Sequence, residues 1–201
     1  MNVFFKVIIV LIFFIPNKLL ADEASVWLKK EIDVILDAYK ISSISGQERF
    51  NLIEDTINKN FAGSGIAKFV AGKAWNGATK DIKKEYIKTF KKHLALNIAS
   101  MMQGYSNQEY ELINTEHDEK NNVYTIDMSI KHSTGSLLVT WRVKKSKNRF
   151  FVIDLLVADI SLVVTKRSEF HSLLKKVDYN LKQFNEVLIQ QNEISLSRLI
   201  N

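Results

Sequence analysis

The chain has 201 residues, 46% of them hydrophobic and 25% charged, with seven Gly and one Pro. That balance fits a globular protein and excludes collagen-like, coiled-coil and disordered chains. Cysteine is absent, which removes disulfides, thiolate metal sites, cysteine nucleophiles and thiol-linked lipid anchors, and the net charge of +6 is only a mild basic bias.

Lys6 precedes an apolar run that Pro16-Asn17-Lys18 breaks before Leu19-Leu20-Ala21. Even counted from Val3 to Ile15, the run falls short of the roughly 20 residues that span a bilayer core, so residues 1–21 read as a secretory signal peptide cleaved near Ala21. Residues 22–201 are then expected to be one exported domain stabilised by apolar burial alone.

The first half of that domain has helical periodicity. Trp27, Leu28, Ile32, Ile35, Leu36 and Tyr39 mark one helix, closed by a Ser-rich break through Gly46. Ser45 with Glu48 three residues on is a capping box, and Phe50, Ile53, Ile57 and Phe61 form the buried stripe behind it. Gly63 and Gly65 punctuate; a short helical piece with Ile66, Phe69 and Val70 ends near Gly72. Thr79 caps a long helix predicted over about Lys80 to Met102, with Ile82, Tyr86, Phe90, Leu94, Ile98 and Met101 on one face. Lys80, Lys84, Lys88, Lys91 and Lys92 lie largely on the other.

After Gly104 the period changes to two. Tyr110, Leu112 and Asn114 suggest a first strand, and Tyr124, Ile126, Met128 and Ile130 share a face of the next. Leu137, Val139, Trp141 and Val143 follow, then Phe151, Ile153, Leu155 and Val157, and then a further strand with Ile160, Leu162 and Val164. Helix returns near Ser168, with a final stretch through Leu181, Phe184, Leu188 and Ile189 before a polar tail. Helices, an antiparallel meander of about four to five strands and closing helices predict one α+β domain.

Little in this chain points to catalysis. His93, His117, His132 and His171 fall on separate elements without metal-ligand spacing, and Glu116 to Glu119 reads as a solvated hairpin tip; no metal or cofactor is expected. Gly63-Ser64-Gly65 has no preceding strand and is not a phosphate cradle. Asp127 and Asp154 are the candidates for an inward general base, yet alternation puts both opposite the apolar face, towards solvent. Nucleic acid is not an expected partner, because the aromatic residues read as core rather than as a stacking platform.

The stretch Asn60-Phe61 through Gly72-Lys73-Ala74-Trp75-Asn76-Gly77-Ala78-Thr79, leading into Tyr86 and Phe90-Lys91-Lys92-His93-Leu94, resembles the central motif of the MlaC-type (toluene-tolerance) family. The run from Phe151 to Val163 resembles the family's strand, turn and second strand, and Arg167-Ser168-Glu169-Phe170 its Arg-Ser-Gln-Phe helix start. The likeness covers about residues 25 to 190. Glu169, Thr165-Lys166 and Ile98-Ala99 depart from the usual family residues, which bears on ligand and partner preference.

The resemblance implies a nuclear-transport-factor-2-like fold around a deep apolar cavity, and a monomeric periplasmic carrier of phospholipid. It further implies partners at both membranes: an inner-membrane ABC transporter complex with an MCE-domain subunit, and an outer-membrane lipoprotein complex. Such shuttling would maintain outer-membrane lipid asymmetry. A related branch is associated with hopanoids, and a nuclear-transport-factor-2-like enzyme on a small hydrophobic substrate, or a holder of polypeptide, remain as other classes. Sheltering an acyl chain of about sixteen carbons requires about 13 kcal/mol of apolar contact, hence a dry, continuous tunnel. Its expected walls are Phe69, Val70, Phe90, Leu94, Ile98 and Met101 from helices, and Ile126, Met128, Val139, Trp141 and Val163 from strands. Lys84, Lys88, Lys91 and Arg167 are the candidates for headgroup or partner contact.

Overall fold

A computed structural model describes residues 22–41, 43–105, 107–133 and 135–200; the expected signal peptide lies outside them. Asp22 accepts hydrogen bonds from the Ala24 and Ser25 amides and starts α1, Glu23–Lys40. The capping box forms as expected: Ser45 Oγ accepts from the Glu48 amide while the Glu48 carboxylate accepts from the Ser45 amide, opening α2, Gly46–Asn60. Helix α3, Gly63–Ala71, ends at Gly72, whose φ of 55° and ψ of −129° favour a residue without Cβ. A single 3₁₀ turn, Gly72–Trp75, leads to Thr79, which caps α4, Lys80–Met102.

Five strands follow in an antiparallel meander of order β1-β2-β3-β4-β5: Tyr110–Asp118, Val123–His132, Gly135–Ser146, Arg149–Val157 and Ile160–Ser161. Two bulges interrupt the register, at Ile113 in β1 and at Ile153 in β4. The second corrects the face expected for β4. An extra residue flips the alternation, so Phe150 and Val152 before the bulge and Leu155 after it turn to the same core, while Phe151 and Ile153 face away.

The expected fifth strand is also corrected. Only Ile160 and Ser161 pair with β4, because Ser161 Oγ accepts from the Val164 amide at 3.0 Å and starts α5, Leu162–Lys175, six residues ahead of the expected helix start. Asn180 then accepts from the Lys182 and Gln183 amides and opens α6, Leu181–Ile200, which carries the supposed polar tail in helix. Asp154 is buried rather than solvent-facing: Oδ1 accepts from the amides of Leu155 (2.8 Å) and Val163 (3.2 Å), and Oδ2 from the Ser161 hydroxyl (2.7 Å). Its carboxylate thus joins β4 to the start of α5. Asp127 does sit on the sheet's outer face, where it accepts from Thr140 Oγ1 at 2.7 Å.

Apolar burial is divided between two clusters. Phe50, Ile53, Ile57, Val70, Tyr86, Phe90, Phe170 and Phe184 belong to a core made by α2 to α6. Leu28 and Ile32 of α1 join Ile126, Met128, Val139, Val143, Val152 and Leu155 in a second core on the sheet. Phe61, between α2 and α3, packs against both.

Candidate functional site

The division leaves a seam. Leu28 and Ile32 point from α1 into the sheet core, whereas Ile35 further along the same helix packs against the helical core. Between the two lies an apolar cleft bounded by Leu28, Ile32 and Ile35 of α1, Ile53 and Ile57 of α2, Ile98 of α4, Trp141 of β3 and Val152 of β4, with Trp27 and Phe61 also on its wall. Its free volume is about 50 Å³, room for no more than a few water-sized groups. The described residues thus form a narrow cleft at this seam where an open tunnel was expected.

Three polar side chains stand at the cleft, and all are occupied. Asn60, buried at the end of α2, donates to Glu31 Oε2 at 2.6 Å; Glu31 also meets Lys59 at 3.5 Å; Thr56 donates to the Leu52 carbonyl at 2.9 Å. Trp141 lines the cleft through its carbon atoms; its indole N–H is buried and has no hydrogen-bond partner among the described residues.

Phe61 also borders a second, open pocket of about 380 Å³ with Ala62, Gly63, Ser64, Gly65, Phe151 and Ile153, and with Lys91 and Lys144 at its sides. A bridge from Ala62 N to the Val152 carbonyl at 2.9 Å pins this corner to β4. The Lys91 stem runs across the start of α3: a Cβ at Gly63 would lie 2.6 Å from Lys91 Cε and 2.9 Å from its Cγ, so a larger residue there would displace the lysine side chain. Phe61 therefore stands between the apolar cleft and a pocket bordered by two lysines.

Of the eleven expected wall residues, the structure brings Ile98 and Trp141 to the cleft. Val70, Phe90 and Leu94 are enclosed in the helical core, which Val163 also touches, and Ile126, Met128 and Val139 are enclosed in the sheet core. Phe69 and Met101 are surface residues, 44% and 48% exposed. The Arg167 guanidinium lies 4.3 Å from the Phe69 ring, and its Nη1 donates to the Phe69 carbonyl at 2.6 Å, which holds α5 to the end of α3. Met102, next to Met101, packs against the helical core in its place.

Among the expected basic residues, Lys91 alone borders a pocket adjoining the cleft. Lys84 and Lys88 are exposed, and Lys88 shares a surface hollow with Glu54, Glu85 and Glu193, so the lysine face of α4 is mixed in charge. The expected hairpin tip is there: Asp118 accepts from the Asn121 amide at 3.1 Å, and His117 stacks on Tyr124. His93 lies outside the cleft. Burial holds its imidazole below the usual histidine pKa, against a hydrogen bond from Nδ1 to Asn192 Oδ1 that works the other way.

The residues that sequence reasoning did not assign to the cleft, chiefly Leu28, Ile32, Ile53, Ile57 and Val152, carry only the signal of burial. Helical spacing marks a buried face without saying which of two cores it meets. For Val152 the bulge hides even that.

A helical layer and a five-stranded meander sheet that keep separate cores, with an apolar seam between them, define an α+β fold. The MlaC protein family matches residues 29–189, and the chain belongs to that family. Among solved structures, the chain is similar to a phospholipid-binding protein from Ralstonia solanacearum determined in complex with a phospholipid. The TM-score is 0.73 at 18% identity, over 86% of this chain and 99% of that one. A comparison with curated proteins returns no match.

Proposed function

We propose that this protein is an exported carrier of diacyl phospholipid that takes the acyl chains into the seam between its helical and sheet cores. The observation that carries the reading is the apolar cleft walled by both cores, with Ile53, Ile57 and Ile98 on one side and Leu28, Trp141 and Val152 on the other. Membership of the MlaC family and the fold shared with a protein solved with phospholipid support it. Every methylene moved from water into the seam is worth about 0.8 kcal/mol. The phosphate end stays towards Phe61, where Lys91 and Lys144 border the neighbouring pocket.

In this reading residues 1–21 direct export to the periplasm. The carrier then moves lipid between an outer-membrane lipoprotein complex and an inner-membrane ABC transporter with an MCE-domain subunit, and so contributes to outer-membrane lipid asymmetry. Lys84 and Lys88, exposed on α4, are available for docking, whereas Arg167 is committed to Phe69. The test is organic extraction of the protein purified from its own cells, followed by mass spectrometry. Stoichiometric diacyl phospholipid is the expected result; a hopanoid as the main species, or protein free of lipid, would overturn the assignment of cargo.

A further inference from the structure

The bulge in β4 leaves two large apolar side chains, Phe151 and Ile153, outside both cores and on the outer face of the sheet. With Phe61 they form the apolar wall of the open pocket of about 380 Å³ beside the start of α3. The charged side chains lining that pocket are both cations: Lys91 reaches it from α4, its stem laid across Gly63, and Lys144 reaches it from β3. Arg149 brings a third cation to its edge, the guanidinium 4.9 Å from the Phe151 ring. The other polar side chains on the wall are the uncharged Ser64 and Ser146. No ion pair among the described residues engages Lys91 or Lys144, whereas Lys145, next in β3, is paired with Glu23 at 2.6 Å.

We infer that this pocket is a headgroup site that selects acidic phospholipids, those whose headgroup carries net negative charge and no ammonium. The inference rests on the carrier reading above and names the class of headgroup it favours. Phe61 lines both this pocket and the apolar cleft, so a phosphate among the lysines and acyl chains in the seam lie on two sides of one ring. Every phospholipid brings a phosphate, which the lysines attract alike; the group beyond the phosphate makes the difference. A glycerol adds no charge and can donate to or accept from Ser64 and Ser146. An ethanolamine or a choline brings a cation to a pocket already bordered by three, with no carboxylate among its lining residues to receive it. Because the pocket is open to water, the discrimination is moderate and weakens as salt screens it.

The experiment measures displacement of a fluorescent-acyl phospholipid from the exported protein by dioctanoyl phosphatidylglycerol and by dioctanoyl phosphatidylethanolamine, at low and at physiological ionic strength. The wild type should prefer the glycerol headgroup by about three- to tenfold at low salt and by less at physiological salt, the equilibrium equivalent of one or two exposed ion pairs. Lys91→Met, which keeps an unbranched stem across Gly63, combined with Lys144→Met should reduce the preference to less than about twofold while leaving affinity for the ethanolamine lipid within about threefold. Lys120→Met, at the tip between β1 and β2, should behave as the wild type. The salt dependence of the wild type is a readout that stands if the double variant does not fold. Equal affinity of the wild type for the two headgroups, a preference that salt leaves unchanged or that survives the double substitution, or displacement of the probe by inorganic phosphate alone, which would make the pocket a site for the free ion, would overturn the headgroup site and leave the carrier reading in place. Failure of the wild type to bind either lipid would overturn both.

Discussion

Ile98 and Met101 sit one turn apart on α4, yet only Ile98 reaches the cleft; Met101 is 48% exposed. Replacing Ile98 by Phe tests that difference. The ring enters a space with about 50 Å³ free, so part of the added volume is accommodated and the fold loses at most about 1–3 kcal/mol by overpacking. The guest loses contact as well. A ring projecting into the seam displaces about one to three methylenes of an acyl chain, and at about 0.8 kcal/mol each the loss is about 1–2.4 kcal/mol, or roughly five- to fiftyfold in affinity. Met101→Phe, on the outside, should bind lipid like the wild type. Lipid per protein by mass spectrometry, with thermal unfolding as a check on folding, measures both variants. Undiminished lipid in a folded Ile98→Phe protein, or equal loss in Met101→Phe, would refute the placement of the tails in this seam.

Other consequences follow from the local geometry. Asp154→Ala strands three donors at the β4 to α5 junction and should cost about 2–4 kcal/mol, lowering Tm by roughly 5–15 °C in a thermal scan; a drop under about 2 °C would remove the junction role. Ala158 and Asp159 both have positive φ in the tight turn between β4 and β5, so Ala158→Gly should raise Tm by about 1–3 °C, whereas Gly72→Ala should lower it. His93 is held neutral by burial between α4, α5 and α6, with Asn192 on Nδ1, Phe170 against the ring and Lys166 and Glu169 nearby; its pKa lies below the unfolded value of about 6.5. Protonation therefore favours the unfolded chain, so stability holds above that pH and falls as pH drops below it. Denaturant titrations at pH 7 and pH 5 should show a smaller decline for His93→Gln than for the wild type, and equal declines would contradict this.

Local signals in the chain were legible where one residue type does one job. Ser45 and Glu48 announce α2, Thr79 announces α4, and the change from helical to two-residue alternation after Gly104 marks where the sheet begins. The misreadings came from geometry that periodicity does not encode. The bulge at Ile153 reversed the faces of half of β4, and the cap made by Ser161 turned an apparent apolar alternation at Ile160, Leu162 and Val164 into a helix start. Asp154 looked solvent-facing because alternation assigns a face but not what covers it; here α5 folds back and buries the carboxylate. The cleft was the least legible part. Phe90, Leu94 and Ile98 lie on one stripe of α4, yet the first two fill the helical core and the third meets the seam, a distinction that depends on where α1 and the sheet come to rest.

The most direct measurement is photo-crosslinking with a phospholipid carrying a diazirine midway along one acyl chain, followed by peptide mapping. Adducts on Ile53, Ile57, Ile98 and Trp141 are predicted, from both sides of the seam. Adducts confined to outer positions such as Phe69 and Met101, with the seam residues unlabelled, would contradict the placement of lipid between the two cores.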